Sequence, residues 1–372
     1  MPTIKNICDS IIYGNENPAL CSKHAYFPSI VAVADAKIVV TMDIGSAFEA
    51  IDVRSYSSTS YDEGQTWSEP TQLCEIDSGS HPVSTTCRVG RMKDKSLLGW
   101  LCIFDRTRTN YGLVNPDGGG MVRTKFATIR STDEGHTWSE PSMVDLPVEW
   151  NYFETCSAPV QVTNECILVP TSPLRSFEGD ESDIPPGIAF VSKDCGESWT
   201  ETVTIFDDDG DHLIPYEQKM THLSDGRMLA MCWAYNGSTH KSGANLFTLS
   251  EDKGESFGAP CKSPLQGETC TPIGLPGNHV LCIYRRTDRP GLWAHLCRIE
   301  GQEWVPLSDL LIWHGVAYNR NAIDKVGMHQ MQDLRFGYPS IELLSNGDVQ
   351  VVFWCVENCV SIIRMSRLNI MI

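Results

Sequence analysis

Two residues of complementary chemistry occupy the same register in this chain. Tyr338 precedes the turn Asn346-Gly347 by the same number of residues as Glu217 precedes Asp225-Gly226. A carboxylate within reach of a phenol can take its proton as the oxygen attacks, so the pair points to nucleophilic or general-base chemistry. Two further carboxyls open matching segments, Glu154-Thr155-Cys156-Ser157 and Glu268-Thr269-Cys270-Thr271. Glu154, Glu217 and Glu268 around one axis would repel one another, raising at least one pKa toward the value a general acid needs. Arg88, Arg106 and Arg108 could supply positive charge, although structural ion pairs are the ordinary use of such residues. His81, His24 and His329 could enter a pocket, where a single His more often simply hydrogen-bonds. Phe206-Asp207-Asp208-Asp209-Gly210-Asp211-His212 looks like a calcium loop. It lacks the downstream Glu at EF-hand spacing, and no metal or cofactor is expected.

The elements that must carry these residues are set by a repeated turn. Ser60-Tyr61-Asp62-Glu63-Gly64-Gln65-Thr66-Trp67 returns at Ser131–Trp138, Ser192–Trp199 and Ser250–Phe257. Each copy reads Ser-x-Asp-x-Gly-x-Ser/Thr-aromatic. The Asp can hydrogen-bond its own turn backbone, the Gly can take positive φ, and the aromatic can pin the turn to a sheet. Upstream of each copy lie an apolar strand, a Gly/Asn/Asp turn and a second apolar strand, as in Tyr216–Met220, Ser224-Asp225-Gly226-Arg227 and Met228–Trp233. A decayed copy, Cys297–Trp304, keeps its Gly and Trp. Units of this kind repeating along a chain make a β-propeller. Blades are expected near residues 25–75, 80–148, 150–208, 212–262, 265–312 and 335–365. The sixth should close by borrowing a strand from residues 1–20, because an open propeller leaves a bare sheet edge. The fold class is thus all-β, a six-bladed β-propeller of four-stranded antiparallel blades, with residues 1–372 as one domain. Tyr318–Asp333 lacks the repeat and reads as a long loop on one face.

The repeated turn is the Asp-box, and the chain resembles the sialidase superfamily of six-bladed propellers. That resemblance implies a Tyr nucleophile assisted by a Glu, an Asp acid/base and three Arg that hold the substrate carboxylate. Tyr338, in Gly-Tyr-Pro-Ser, matches the segment of the nucleophile, and Glu217 matches its partner. For the acid, the resemblance directs attention to the segment before the first box, where Glu49 and Asp52 are better placed than Asp43. The arginines depart from the pattern. Tyr26, in Ala25-Tyr26-Phe27-Pro28, stands in the place of the first, and Cys232, Trp233 and Tyr235 stand where the second is expected. The third has counterparts only in Tyr284-Arg285-Arg286-Thr287-Asp288-Arg289, with Arg289 ahead of Arg286. Without that clamp the reason for a neutral Tyr nucleophile weakens, and Glu217 itself could be nucleophile or base. The substrate-binding set expected is therefore Arg289, Arg286, Tyr26, Trp233, Glu154, Glu268, His81 and Arg106.

Composition limits the partners. A net charge of −18 argues against nucleic acid or an anionic membrane surface. No basic stretch followed by an apolar region opens the chain, and no segment approaches membrane-spanning length, so a cytoplasmic location is expected. The 15 Cys, without paired short spacings, read as buried thiols. A small carbohydrate is the expected substrate, and an exo-acting glycosidase acting on something other than ordinary sialosides is the leading function. A propeller polysaccharide lyase, using His81 or His329 with Tyr338, and a non-catalytic glycan- or protein-binding propeller are the alternatives.

Overall fold

The second strand of each blade is a continuous apolar run, and that pattern requires cover on both faces. Ile38–Gly45, Leu97–Asp105 and Val349–Glu357 are buried along almost their entire length. A computed structural model, describing residues 2–115, 120–179, 184–207, 213–236, 241–314 and 334–372, supplies that cover by stacking six antiparallel sheets face to face. Six buried apolar clusters result, one centred on each interface between neighbouring blades. Among the described residues the only helical element is a short 3-10 turn, Pro276–Asn278.

Each sheet begins with a strand at the channel: His24–Ala32, Val83–Arg91, the pair Phe153–Glu154 and Val160–Gln161, Leu213–His222, Gly267–Leu275 and Phe336–Leu343. The third blade's inner strand is broken, and Pro159, which has no N–H to give to a ladder, lies in the break. The ring closes where the N-terminal strand Thr3–Tyr13 pairs antiparallel with Val360–Met371, completing the sixth sheet. All six expected blades are present, and the closing strand comes from the expected segment.

The boxes sit in the turn after the third strand and wedge against the preceding blade. A Cβ on Gly254 would lie 2.4 Å from Leu168, and one on Gly135 2.9 Å from Val39. Both glycines also have φ near +87°, a conformation that L side chains rarely adopt. Inside the first box, Asp62 accepts from the Thr66 N–H at 2.8 Å and the Thr66 hydroxyl at 2.6 Å, while Ser60 Oγ accepts from the Gly64 N–H at 2.7 Å. The same bonds recur around Asp133, Asp194 and Asp252.

Candidate active site

Four inner strands lose register at one level of the channel, between Tyr26 and Ser29, Tyr216 and Lys219, Glu268 and Thr271, and Gly337 and Ser340. Within each bulge one non-glycine residue has positive φ: Phe27 at 49°, Glu217 at 52°, Thr269 at 56° and Tyr338 at 53°. A bulge re-aims a side chain, and left-handed backbone at bulky residues costs on the order of 1–3 kcal/mol each. The common register of Tyr338 and Glu217 in the sequence is therefore a common backbone device.

Tyr338 is buried, with Arg88 4.8 Å and Lys219 4.9 Å from its ring centre and Phe27 edge-on at 4.8 Å. Burial pushes the phenol well above its ordinary pKa, and Cys156, Glu154 and Glu217 add to the rise while Arg88 opposes it. Glu217, also buried, accepts from the Trp233 indole N–H at 3.0 Å. Glu154 lies beside Cys156, and its Oε2 is buried without a hydrogen-bond partner. Donor atoms of Glu154, Cys156 and Glu217 all lie within 4.8 Å of one another.

The two carboxyls differ in support. Burial raises both. Glu154 is pushed up to about 8, chiefly by burial and then by the charge of Glu217. Opposing the burial of Glu217 are the charges of Lys219 and Arg285 and the Trp233 N–H. Glu154 is thus the member able to keep a proton at neutral pH, while the positive charges and the indole N–H favour the charged form of Glu217. The trio could also be tested as a metal centre. A zinc ion would require a thiolate and ligand atoms at about 2.0–2.3 Å, yet burial pushes the Cys156 thiol well above its ordinary pKa and Lys219 brings positive charge to the cluster. The donor set fits protonated, neutral groups better than an ion.

The other expected residues divide. Trp233 stacks on Tyr216 at 4.7 Å and 17°, with Tyr235 edge-on to Tyr216, forming an aromatic wall beside Glu217. Glu268 is buried against Arg285, which also donates to Phe336 O at 3.1 Å. Arg285, and not the exposed Arg289, is the arginine that the fifth blade directs inward. Arg286 is held by Asp288 and Asp309, and Arg289 lies over Trp293. Tyr26 is 4% exposed, packed edge-on to Phe48 and Trp354, so Phe27 presents the ring at the channel. Asp52 is exposed and caps Ser46, accepting from its N–H at 3.0 Å. Glu49 accepts from the Leu113 N–H at 2.6 Å beside Arg106, which donates to Glu49 O and Tyr111 O. Both acids are thus engaged by backbone N–H groups of loops, Asp52 by Ser46 and Glu49 by Leu113. His81 is exposed in a turn with Ser78, and Arg108 pairs with Glu178 at the surface. His24 accepts from the Ser361 N–H. The whole loop Tyr318–Asp333, with His329 in it, and the calcium-like residues 208–212 lie outside the described residues.

Three participants carried no assigned role on sequence grounds: Cys156, Lys219 and Arg285. Lys219 follows Glu217 by two residues across the bulge, and Arg285 lies directly opposite Glu268 in the sheet register. Those two signals need the strand pairing before they can be read.

The BNR repeat-like domain family matches residues 109–351. The chain belongs to that family. No curated protein matches this member by sequence. Among solved structures it is similar to a protein of unknown function from Dyadobacter fermentans, at 20% identity and a TM-score of 0.74, covering 99% of both chains. It is also similar to an α-L-arabinanase of Penicillium chrysogenum complexed with arabinobiose, at 12% identity and a TM-score of 0.68, covering 98% of both chains. A leech intramolecular trans-sialidase is a third, at 12% identity and a TM-score of 0.65, covering 98% of this chain and 70% of that one. At these identities the likeness is one of fold, a propeller shared by glycoside-processing enzymes.

Proposed function

We propose that this BNR-repeat propeller is an exo-acting glycoside hydrolase acting on a small glycoside other than ordinary sialosides. Glu154 serves as the acid/base and Glu217 as the carboxylate that meets the anomeric carbon. The observation that carries this reading is the Glu154–Glu217 pair itself, a half-buried and a buried glutamate with carboxyl oxygens within 4.8 Å, one raised to about 8 and the other supported by Lys219, Arg285 and Trp233. Retaining glycosidases hold their two carboxyl groups about 5–5.5 Å apart, whereas inverting ones leave room for a water at about 6.5–9.5 Å. The separation here therefore favours retention, with a covalent intermediate on Glu217. Glu154 then protonates the departing oxygen and later activates water.

Tyr338 enters as a positioning residue. Its ring is held among Arg88, Lys219 and Phe27, and its raised pKa opposes its use as an oxyanion. The stacked pair Tyr216 and Trp233 offers an apolar face for a sugar ring. Arg285 is already engaged by Glu268 and Arg88 lies against Asp43, so the arrangement lacks the triple clamp that a sialic acid carboxylate would use. Relatives of the same fold act on arabinan and on sialosides by their names, which supports a carbohydrate substrate without choosing the sugar.

The test is a panel of aryl glycosides that includes an arabinofuranoside and a sialoside. Turnover of a non-sialoside that falls about 10³-fold or more in Glu217→Ala is expected. Strong sialoside turnover that vanishes in Tyr338→Phe would overturn both the substrate and the role of Tyr338. No turnover, with an oligosaccharide still bound, would favour a glycan-binding propeller.

A further inference from the structure

The channel has a second chamber that the chemistry above leaves unused. It runs from the layer of Tyr338, Arg88, Cys156 and Lys219 toward the turns that end the inner strands, and its volume is about 370 Å³. Glu154, Glu217 and Trp233 are not among its walls. In a chain of net charge −18 the walls carry Arg88, Arg91, Lys93, Lys219 and His222 against one carboxyl, Glu342.

What these groups bind is informative. Lys219 is 4% exposed and donates to Thr271 Oγ1 at 2.6 Å and Pro339 O at 3.2 Å, both neutral oxygens. At the rim Arg91 donates to Ala32 O, Lys93 to Val162 O, and His222 meets Gln161 O. Arg88 has Asp43 at 3.5 Å, long for a buried pair. Burial pushes the Glu342 carboxyl up to about 7, so the chamber's one acid carries only part of its charge at neutral pH. Lys219 has Glu217 as its nearest opposing charge, and burial works against its ammonium, so the surplus that the low-dielectric walls focus into the chamber comes chiefly from Arg91 and Lys93, whose hydrogen bonds there go to neutral oxygens.

We infer that this chamber is a binding site for a small phosphate-type oxyanion, free or carried on a small metabolite, held by Arg91 and Lys93 at the rim and Lys219 at the floor. An oxyanion of this kind would accept from guanidinium and ammonium donors at once, the charge-assisted geometry that phosphate favours. The volume leaves room for the group with its water, or for a sugar bearing it.

Melting temperature is measured with added inorganic phosphate, and separately with a hexose phosphate, each against sodium chloride at equal ionic strength. A saturating upward shift with phosphate and none with chloride is expected. A hexose phosphate that binds at least about tenfold tighter than inorganic phosphate assigns the carried form, and equal or weaker binding assigns the free ion. The variant Arg91→Ser/Lys93→Ser, whose unliganded melting curve reports its folding, should weaken the phosphate affinity about tenfold or more. An equal shift with chloride, no shift at all, or full affinity in the double variant would overturn the inference.

Discussion

At the residue scale the account turns on Glu154 holding a proton at neutral pH. A general acid must be protonated to act, so activity should decline as pH rises through about 8, where Glu154 ionises. The same group affects stability in a defined direction. Its folded pKa is raised, so its favourable contribution is complete below the ordinary carboxyl range and is lost as pH rises toward about 8. Glu154→Gln should therefore match the wild type in melting temperature near pH 4. Above pH 8 its unfolding free energy should exceed that of the wild type by on the order of 1–3 kcal/mol, as thermal unfolding across pH would record. Its activity should fall about 10²–10⁴-fold toward substrates with poor leaving groups and less toward activated aryl glycosides, read from a leaving-group series. A variant that is more stable and less active places the cost of burying this carboxyl in its function.

At the scale of the elements the Asp-box is a wedge between blades. Gly254→Ala would drive a methyl group to 2.4 Å from Leu168 at φ +87°, so a loss of roughly 1–3 kcal/mol is expected in chemical denaturation, against little change at the open turn glycine Gly301 beyond its own φ strain. The box carboxylates predict the acid limb of stability. The Thr66 hydroxyl and N–H hold Asp62 down to about 2, and Thr137 and Ser131 hold Asp133 below its ordinary range. Depressed carboxylates contribute stability above their unfolded pKa and lose it as pH falls, so Thr66→Val and Thr137→Val should each move acid unfolding to higher pH, followed by circular dichroism. These elements were legible in the sequence because a turn with Asp, Gly and an aromatic at fixed offsets has few conformations open to it. The site was legible only in part. Tyr338 and Glu217 declared themselves by spacing from a turn, whereas Arg285 reaches the channel only through its place opposite Glu268 in the register, and Arg289 beyond the strand's end does not. Asp52 and Glu49 lie in a loop whose course depends on what it caps, Ser46 and Leu113, and no periodicity reveals that.

At the scale of the whole molecule, closure joins the two ends of the chain. Thr3–Tyr13 contributes the outer strand of the sixth blade, burying Ile4 among blades five and six and Ile12 among blades six and one. Ile12→Ala should cost about 2–4 kcal/mol in equilibrium unfolding. Removing residues 2–13 should do more, because it bares the edge of Val360–Met371 and leaves unpaired strand groups open to another chain. Light scattering of the truncated protein should rise with concentration while the full chain's does not. Closure also matters to the site, since Tyr338 and Arg88 face each other across blades six and two, with blade one between them.

The most direct measurement is the identity of the residue that carries the sugar. The enzyme is incubated with a 2-deoxy-2-fluoro glycoside of the sugar it turns over, digested, and the labelled peptide sequenced by mass spectrometry. The account predicts a single glycosyl adduct on the Glu217 side chain, formed slowly in Glu154→Gln and absent in Glu217→Gln. An adduct on Tyr338, or turnover with inversion at the anomeric carbon and no adduct, would contradict it.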